Sequence, residues 1–388
     1  MLPLGAAQLG GAERSIGELS MQLQAHGKSV HMLADRALEN TPYAAELAAG
    51  KVSITWMDWH PEHGIGKNFR LAWRVFRHWR APLIHFNVCW RKGMWIIPLA
   101  AKLANPNTKI VGTIRSMPDA HQHIPRKRYF GIIPGVRLWL LQPKFNGWVW
   151  GRVLNRTVSI NRSDFPPRLA RDYFFPAKNI RVIQNGIPPR RVPLSVEQKR
   201  LLRAQAGVAD QQIFLLYAGR LAADKGLDDL LNAFARQPEH YRLTLIGSGP
   251  LLEPLTLQVQ QLGLAGRVKF LGFQANPRDW MAAADIVITP SSEPEAFGRT
   301  VIEAMAEGTV GIASNAGGMA EIYIDGVQGL YFPARDISAL AHAIHRLGED
   351  ADLRARLAQQ GYALFLERYS VDRVCEQYQA LYREILSV

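Results

Sequence analysis

Short apolar, β-branched runs recur along this chain, and stretches with helical periodicity separate most of them. In the first half the runs are SVHMLA, VSITWM, PLIHFN, KIVGTI, TVSI and IRVIQN. In the second half they are IFLLYAG, RLTLIG, VKFLG, DIVITPS, VGIAS and GLYFP. Strands that read as near-continuous apolar runs are buried on both faces, and their alternation with helices builds parallel sheets in α/β layers. The first helix is expected to start near Gly11, carry Ile16, Leu19 and Leu23 on one face, and close at His26 and Gly27. Between the two series lies NGIPPRRVPLSVEQ, from Asn185, whose prolines and polar residues read as an interdomain linker. A chain of 388 residues is long enough for two such doubly wound halves, each with its own core. Such sheets bind ligands at the carboxyl ends of their strands, so a cleft between the halves is the natural site.

Charge separates the halves. Residues 1–190 hold 27 Lys and Arg against 10 Asp and Glu, whereas residues 191–388 hold 19 against 23. Nine of the ten tryptophans also precede residue 151. A basic, aromatic first domain joined to a mildly acidic second one points to different partners for each. FRLAWRVFRHWR places Phe69, Trp73 and Phe76 at helical spacing beside Arg70, Arg74, Arg77 and Arg80, and residues 124–152 form a second basic, aromatic segment. Either the aromatics face a core and the arginines face water, or the two act together on an anionic membrane surface. Nucleic acid would also suit the charge, but no nucleic-acid-binding motif is present, and none is expected as a partner. Two cysteines, Cys89 and Cys375, match no disulfide or zinc pattern, and no leader or membrane-length apolar run is visible. These features imply a cytoplasmic protein, with the basic half peripheral on the inner membrane.

Chemistry concentrates in the second half. YAGRLAADKG places Arg220 and Lys225 on a glycine-bounded loop after a strand, two cations able to meet a polyphosphate. The plainer reading is a pair of solvated loop charges. Gly247 and Gly249, in GSGP after the next strand, would let the backbone approach a ligand. EPEAFGRTVIEAMA then carries Glu295 in a loop and Glu303 inside the following helix, which is expected from near Phe297 or Gly298. The amides opening that helix, from Phe297 through Gly298 and Arg299 to Thr300, make an anion site. A carboxylate on each side of an anion site suits a ligand with hydroxyls flanking a diphosphate, as in a nucleoside diphosphate sugar. Taken singly, each glutamate is equally read as a favourable helix-start charge or a surface residue.

GRLAADKG, GSGP, EPEAFGRTVIEAMA and NAGGMAEI, in that order, resemble the retaining glycosyltransferases of family GT4, and LGGAERSIGEL and VIQNGI in the first half resemble the same family. The resemblance covers nearly the whole chain and implies a GT-B fold, two Rossmann-like doubly wound domains facing across a cleft. The domains are then 1–188 for the acceptor and 189–370 for the donor, with a last helix, 371–388, crossing back to the first. It implies that Arg220 and Lys225 bind the donor diphosphate, that Glu303 holds the ribose, and that Glu295 holds the transferred sugar. It also implies that Gly10 and Gly11 approach the phosphates from the other domain, and that no metal or other cofactor is needed. Relatives often carry a histidine after the strand that corresponds to KIVGTI; here Arg115 stands there, with His121 further on, and both are candidates to meet the acceptor. The implied reaction moves a sugar from a UDP- or GDP-linked donor to a lipid-linked or cell-surface glycan, such as lipopolysaccharide or exopolysaccharide. A nucleotide-sugar epimerase, or a membrane- or nucleic-acid-binding protein with a degenerate site, are the alternatives.

Overall fold

The computed structural model describes residues 11–57, 64–88, 90, 94–118, 128–129 and 133–387. The chain divides into two compact units, Met1–Gly186 with Val374–Val388, and Ile187–Arg373.

In the first unit the strands are β1 (His31–Asp35), β2 (Ser53–Met57), β3 (Leu83–Val88), β4 (Lys109–Ile114), β5 (Arg128–Tyr129), β6 (Ile133–Pro134), β7 (Arg156–Ser159) and β8 (Ile180–Val182). β1 and β2 pair in parallel, β3-β4-β7-β8 form a parallel sheet in that order, and β5 and β6 are a short antiparallel pair. The helices are α1 (Gly11–Ala25), α2 (Pro42–Ala49), α3 (Gly64–Trp79), α4 (Ile96–Ala104), α5 (Gly135–Val153) and α6 (Phe165–Tyr173). α1 follows its periodicity: Leu19 and Leu23 are buried, and Gly27, at φ 74°, ends it. IRVIQN is strand only to Val182, and beyond it the Asn185 side-chain oxygen accepts from Arg115. In α3 the packing follows the core-and-solvent reading of the basic aromatic stretch. Phe76 is buried, Trp73 is half-buried under the Arg77 guanidinium at 4.9 Å, and Lys67, Arg70, Arg74 and Arg77 face solvent.

The second unit contains α7 (Val196–Ala206), β9 (Ile213–Ala218), α8 (Leu227–Phe234), β10 (Tyr241–Ile246), α9 (Leu252–Gln261), β11 (Val268–Phe270), α10 (Pro277–Ala283), β12 (Ile286–Thr289), α11 (Arg299–Ala306), β13 (Val310–Ser314), β14 (Leu330–Phe332), α12 (Ile337–Glu349) and α13 (Ala351–Leu364). Its six strands are all parallel, ordered β11-β10-β9-β12-β13-β14. Alternate residues of β9 feed two cores. Leu215 joins Leu243, Ile288, Ile312 and Phe234 on one face, while Phe214 and Leu216 join Val287, Met281 and Ala304 on the other. Each fully buried side chain of this kind contributes about 1.5–3 kcal/mol relative to exposure. This double burial is why the strands read as unbroken apolar runs.

The expected linker is partly helix. Ser195 accepts from the Gln198 amide at 3.1 Å, and the Gln198 side chain accepts from the Ser195 amide at 2.8 Å. This reciprocal capping box starts α7 inside the stretch. The last helix, α14 (Val371–Leu386), contributes Val374, Cys375, Tyr378, Leu381 and Ile385 to the core that α1 and the β3-β4-β7-β8 sheet form in the first unit. Asp350 and Asp352 are exposed, and Asp350 caps α13. No helix among the described residues is long and apolar enough to cross a membrane.

Candidate functional site

Because β10, β9, β12 and β13 are neighbours in a parallel sheet, the loops that follow them meet along one edge. The loop after β9 runs through Gly219 and Arg220 to a single 3-10 turn, Ala223–Lys225, and Gly226 at φ 60° opens α8. A Cβ added at Gly226 would lie 2.2 Å from the Pro290 carbonyl oxygen, so only glycine lets this loop press on the loop after β12. The Ser292 amide donates to the Asp224 carbonyl at 3.1 Å across the same contact.

That close approach is what brings Lys225 to Glu295. The Lys225 ammonium lies 2.7 Å from Glu295 Oε1 and 3.2 Å from Asp224 Oδ2, and the Ser291 hydroxyl also donates to Glu295. The Lys225 and Glu295 side chains are 20% and 22% exposed, buried enough to be held and open enough to meet a ligand. Burial by itself would push the Lys225 pKa down, but Glu295 and then Asp224 outweigh it and hold the ammonium above its ordinary value. The loop after β13 fixes the Glu295 backbone, since the Gly318 amide donates to the Glu295 carbonyl at 2.7 Å. Tyr217 donates to the Arg220 carbonyl at 2.8 Å, and burial, then the Glu295 and Asp224 charges, push its phenol pKa up.

Arg220 is the most open of these cations, its side chain 63% exposed and 3.2 Å from Asp224. α11 opens at Arg299 after Gly298, which sits at φ 90° without a side-chain cap. Phe297 is buried against the Tyr369 ring, so it can offer a ligand only its backbone, while Arg299 and Thr300 are half-buried in the first turn. Glu303, the fifth residue of α11, accepts from Arg299 Nε at 2.8 Å, both side chains being 15% exposed or less. Each carboxylate of the expected pair therefore comes with its own cation.

The glycines of GSGP have protein neighbours. A Cβ at Gly247 would lie 1.8 Å from the Gly219 carbonyl, and one at Gly249 would lie 2.2 Å from that of Leu221. They allow the loops after β9 and β10 to stack, which seats Arg220. Sequence reasoning overlooked Asp224, Ser291 and Arg299 as partners of the charges it chose. Their nearness in the chain was the available signal: Asp224 precedes Lys225 in ADKG, and Ser291 and Arg299 each stand four residues before their glutamate.

In the first unit Gly11 begins α1 and is exposed, while Gly10 and His121 lie outside the described residues. Arg115 follows β4, donates from Nε to Asn87 Oδ1 at 3.0 Å, and donates to Asn185. Beside it His85 meets the Tyr382 hydroxyl at 2.6 Å and the Thr113 hydroxyl at 2.7 Å. Burial first, and then the Arg115 charge, push the His85 pKa down to about 3, which leaves the imidazole neutral. This buried polar cluster ties α14 to the sheet.

Residues 198–364 match the family described as glycosyl transferases group 1, and residues 9–191 match the family described as Glycosyltransferase Family 4. Over 214 residues the chain is 31% identical to an uncharacterized glycosyltransferase of Methanocaldococcus jannaschii, covering 54% of this chain and 55% of that protein. Over 201 residues it is 32% identical to a lipopolysaccharide core biosynthesis glycosyltransferase of Rhizobium meliloti, covering 52% and 57%. The chain spans about half the length of these curated relatives. Its fold is that of Anabaena Alr3699/HepE, solved in complex with UDP, at a TM-score of 0.81 and 23% identity over 98% of both chains.

Proposed function

The chain belongs to the group 1, family 4 glycosyltransferases, which have the GT-B fold of two Rossmann-like domains, and from that premise we propose that it moves a sugar from a UDP- or GDP-linked donor to a lipid-linked or cell-surface glycan with retention of configuration. One observation carries the reading: Lys225, Glu295 and Arg220 gather at one sheet edge with the open end of α11. Relatives named for lipopolysaccharide core biosynthesis support the acceptor class, and a neighbour solved with UDP-glucose supports the donor class.

In the reaction the bond between the anomeric carbon and the phosphate oxygen breaks, leaving positive charge on the sugar and extra negative charge on the diphosphate. Arg220, Lys225 and the first amides of α11 stabilise the leaving group. The acceptor oxygen attacks from the same face, and its proton passes to a leaving-group oxygen. Glu295 holds sugar hydroxyls against the reacting carbon, and Glu303 holds the ribose. Two side-chain cations and a helix terminus already meet the phosphates, so transfer is proposed to run without a metal. The acceptor side is assigned to the first unit, where Arg115 offers a fixed guanidinium, and to an anionic membrane surface at which that basic unit works.

The Lys225→Ala variant tests the donor assignment. With one of the phosphate cations gone, the affinity for the nucleoside diphosphate is expected to fall by about 10- to 100-fold, the loss of a charge-assisted hydrogen bond worth about 1.5–3 kcal/mol. Calorimetry measures it directly, and an unchanged affinity removes Lys225 from the site.

A further inference from the structure

Outside the donor site, the first unit exposes an aromatic surface. Along α5 the residues Lys144, Phe145, Trp148 and Arg152 all face solvent, with Phe145 48% and Trp148 44% exposed. The Phe145 and Trp148 rings lie near-parallel with centroids 6.2 Å apart, Trp95 meets Phe145 edge-on at 5.3 Å, and the Arg152 guanidinium covers Trp148 at 4.1 Å. α6 packs against α5 at Gly147 and Gly151, where a Cβ would lie 2.3 Å from the Tyr173 carbonyl and 2.8 Å from that of Phe174. This places Phe174, 53% exposed, beside the α5 surface.

Phe174 occupies the left-handed position that ends α6, at φ 61°, where glycine is the usual residue. A large apolar side chain there strains the backbone while more than half of its surface stays exposed, a poor exchange for folding alone. Helices α3, α4, α5 and α6 pack successively against one another, and α3 presents Lys67, Arg70, Arg74 and Arg77 to solvent. Exposed aromatics flanked by Lys144 and Arg152, on a unit whose basic residues far outnumber its acidic ones, match the interface of an anionic bilayer, where aromatic rings sit at headgroup level and basic groups meet lipid phosphates.

We infer that Phe145, Trp148 and Phe174 form the part of this protein that enters an anionic lipid surface, with Lys144 and Arg152 at the phosphates and the α3 basic face acting at longer range. The inference narrows the membrane arm of the proposed function to one patch, and it is independent of the donor chemistry.

The test is sedimentation of the full chain with vesicles of phosphatidylcholine containing phosphatidylglycerol, at low and high salt, against phosphatidylcholine alone. Wild type pellets with the anionic vesicles, less so at high salt. The double variant Phe145→Ser/Trp148→Ser partitions about tenfold or more weakly. Phe174→Gly also weakens binding while its melting temperature holds or rises, a combination that a merely structural role would not give. A thermal shift induced by whichever of UDP, GDP and ADP the wild type binds reports, in each variant, that the second unit is folded, so failed vesicle binding and failed donor binding are told apart. Equal pelleting by wild type and the double variant overturns the inference, as does equal pelleting with neutral vesicles. It is equally overturned if sedimentation velocity finds a wild-type dimer that the double variant converts to monomer, because the patch would then be covered by a second copy.

Discussion

Glu295→Ala is expected to lower sugar transfer by about two to three orders of magnitude and to leave nucleoside diphosphate affinity within a fewfold of wild type. The magnitude follows from what removing one preorganised hydrogen-bonding group from a reacting centre costs, on the order of 10²–10³ in turnover. The binding half follows from the geometry. Glu295 is the partner of Lys225, 2.7 Å away, and it repels a diphosphate rather than holding it. Its loss leaves Lys225 with Asp224, 3.2 Å away, and removes none of the proposed phosphate contacts. Steady-state transfer together with calorimetry of the nucleoside diphosphate separates the two effects. A variant that loses transfer and nucleotide affinity together would place Glu295 in the phosphate site through Lys225, and not at the sugar.

The second large effect is on stability. Glu307→Ala is expected to destabilise the second unit by about 3 kcal/mol, the low end of the cost of breaking a buried ion pair from one side. The Glu307 side chain is 1% exposed and accepts from Arg278 Nε at 2.6 Å and from Arg190, while Arg190 also reaches Asp279 at 2.7 Å. A carboxylate at the carboxyl end of α11 opposes the helix dipole, which is why it needs two guanidiniums. The same network holds the former linker, because Arg278 donates to the Pro188 carbonyl at 2.8 Å. Without Glu307 the partly buried Arg278 loses its carboxylate and Arg190 keeps only Asp279. The unfolding transition of this unit should drop by roughly 6–12 °C for that loss. A melting temperature within a degree of wild type would mean that Asp279 alone satisfies both arginines.

What the sequence made legible was decided by burial. Strands β9, β10, β12 and β13 are buried on both faces, so their apolar runs are unbroken and easy to read. The turns after them are rich in glycine and charge, and there the proposed donor residues could be named. Reading failed where composition misleads. The prolines before Ser195 masked a helix whose only marker was the spacing of Ser195 and Gln198. The role of Gly247 was legible as a need for a bare backbone, but its neighbour, the Gly219 carbonyl, is a tertiary contact that no spacing reports. His85 sits in the apolar run PLIHFN and gave no sign that Thr113 and Tyr382, distant in the chain, would take both its ring nitrogens. For α3 the aromatic stripe and the arginines were both visible, and only the packing divides them into an inward Phe76 and an outward row of cations.

The most direct test of the account is calorimetric titration of the full chain with UDP, GDP and ADP, each in the presence of EDTA. One of the three is expected to bind saturably without metal, and Lys225→Ala is expected to weaken that binding. Absence of binding by all three, or binding that appears only when magnesium is restored, would contradict a diphosphate site built from Arg220, Lys225 and the start of α11.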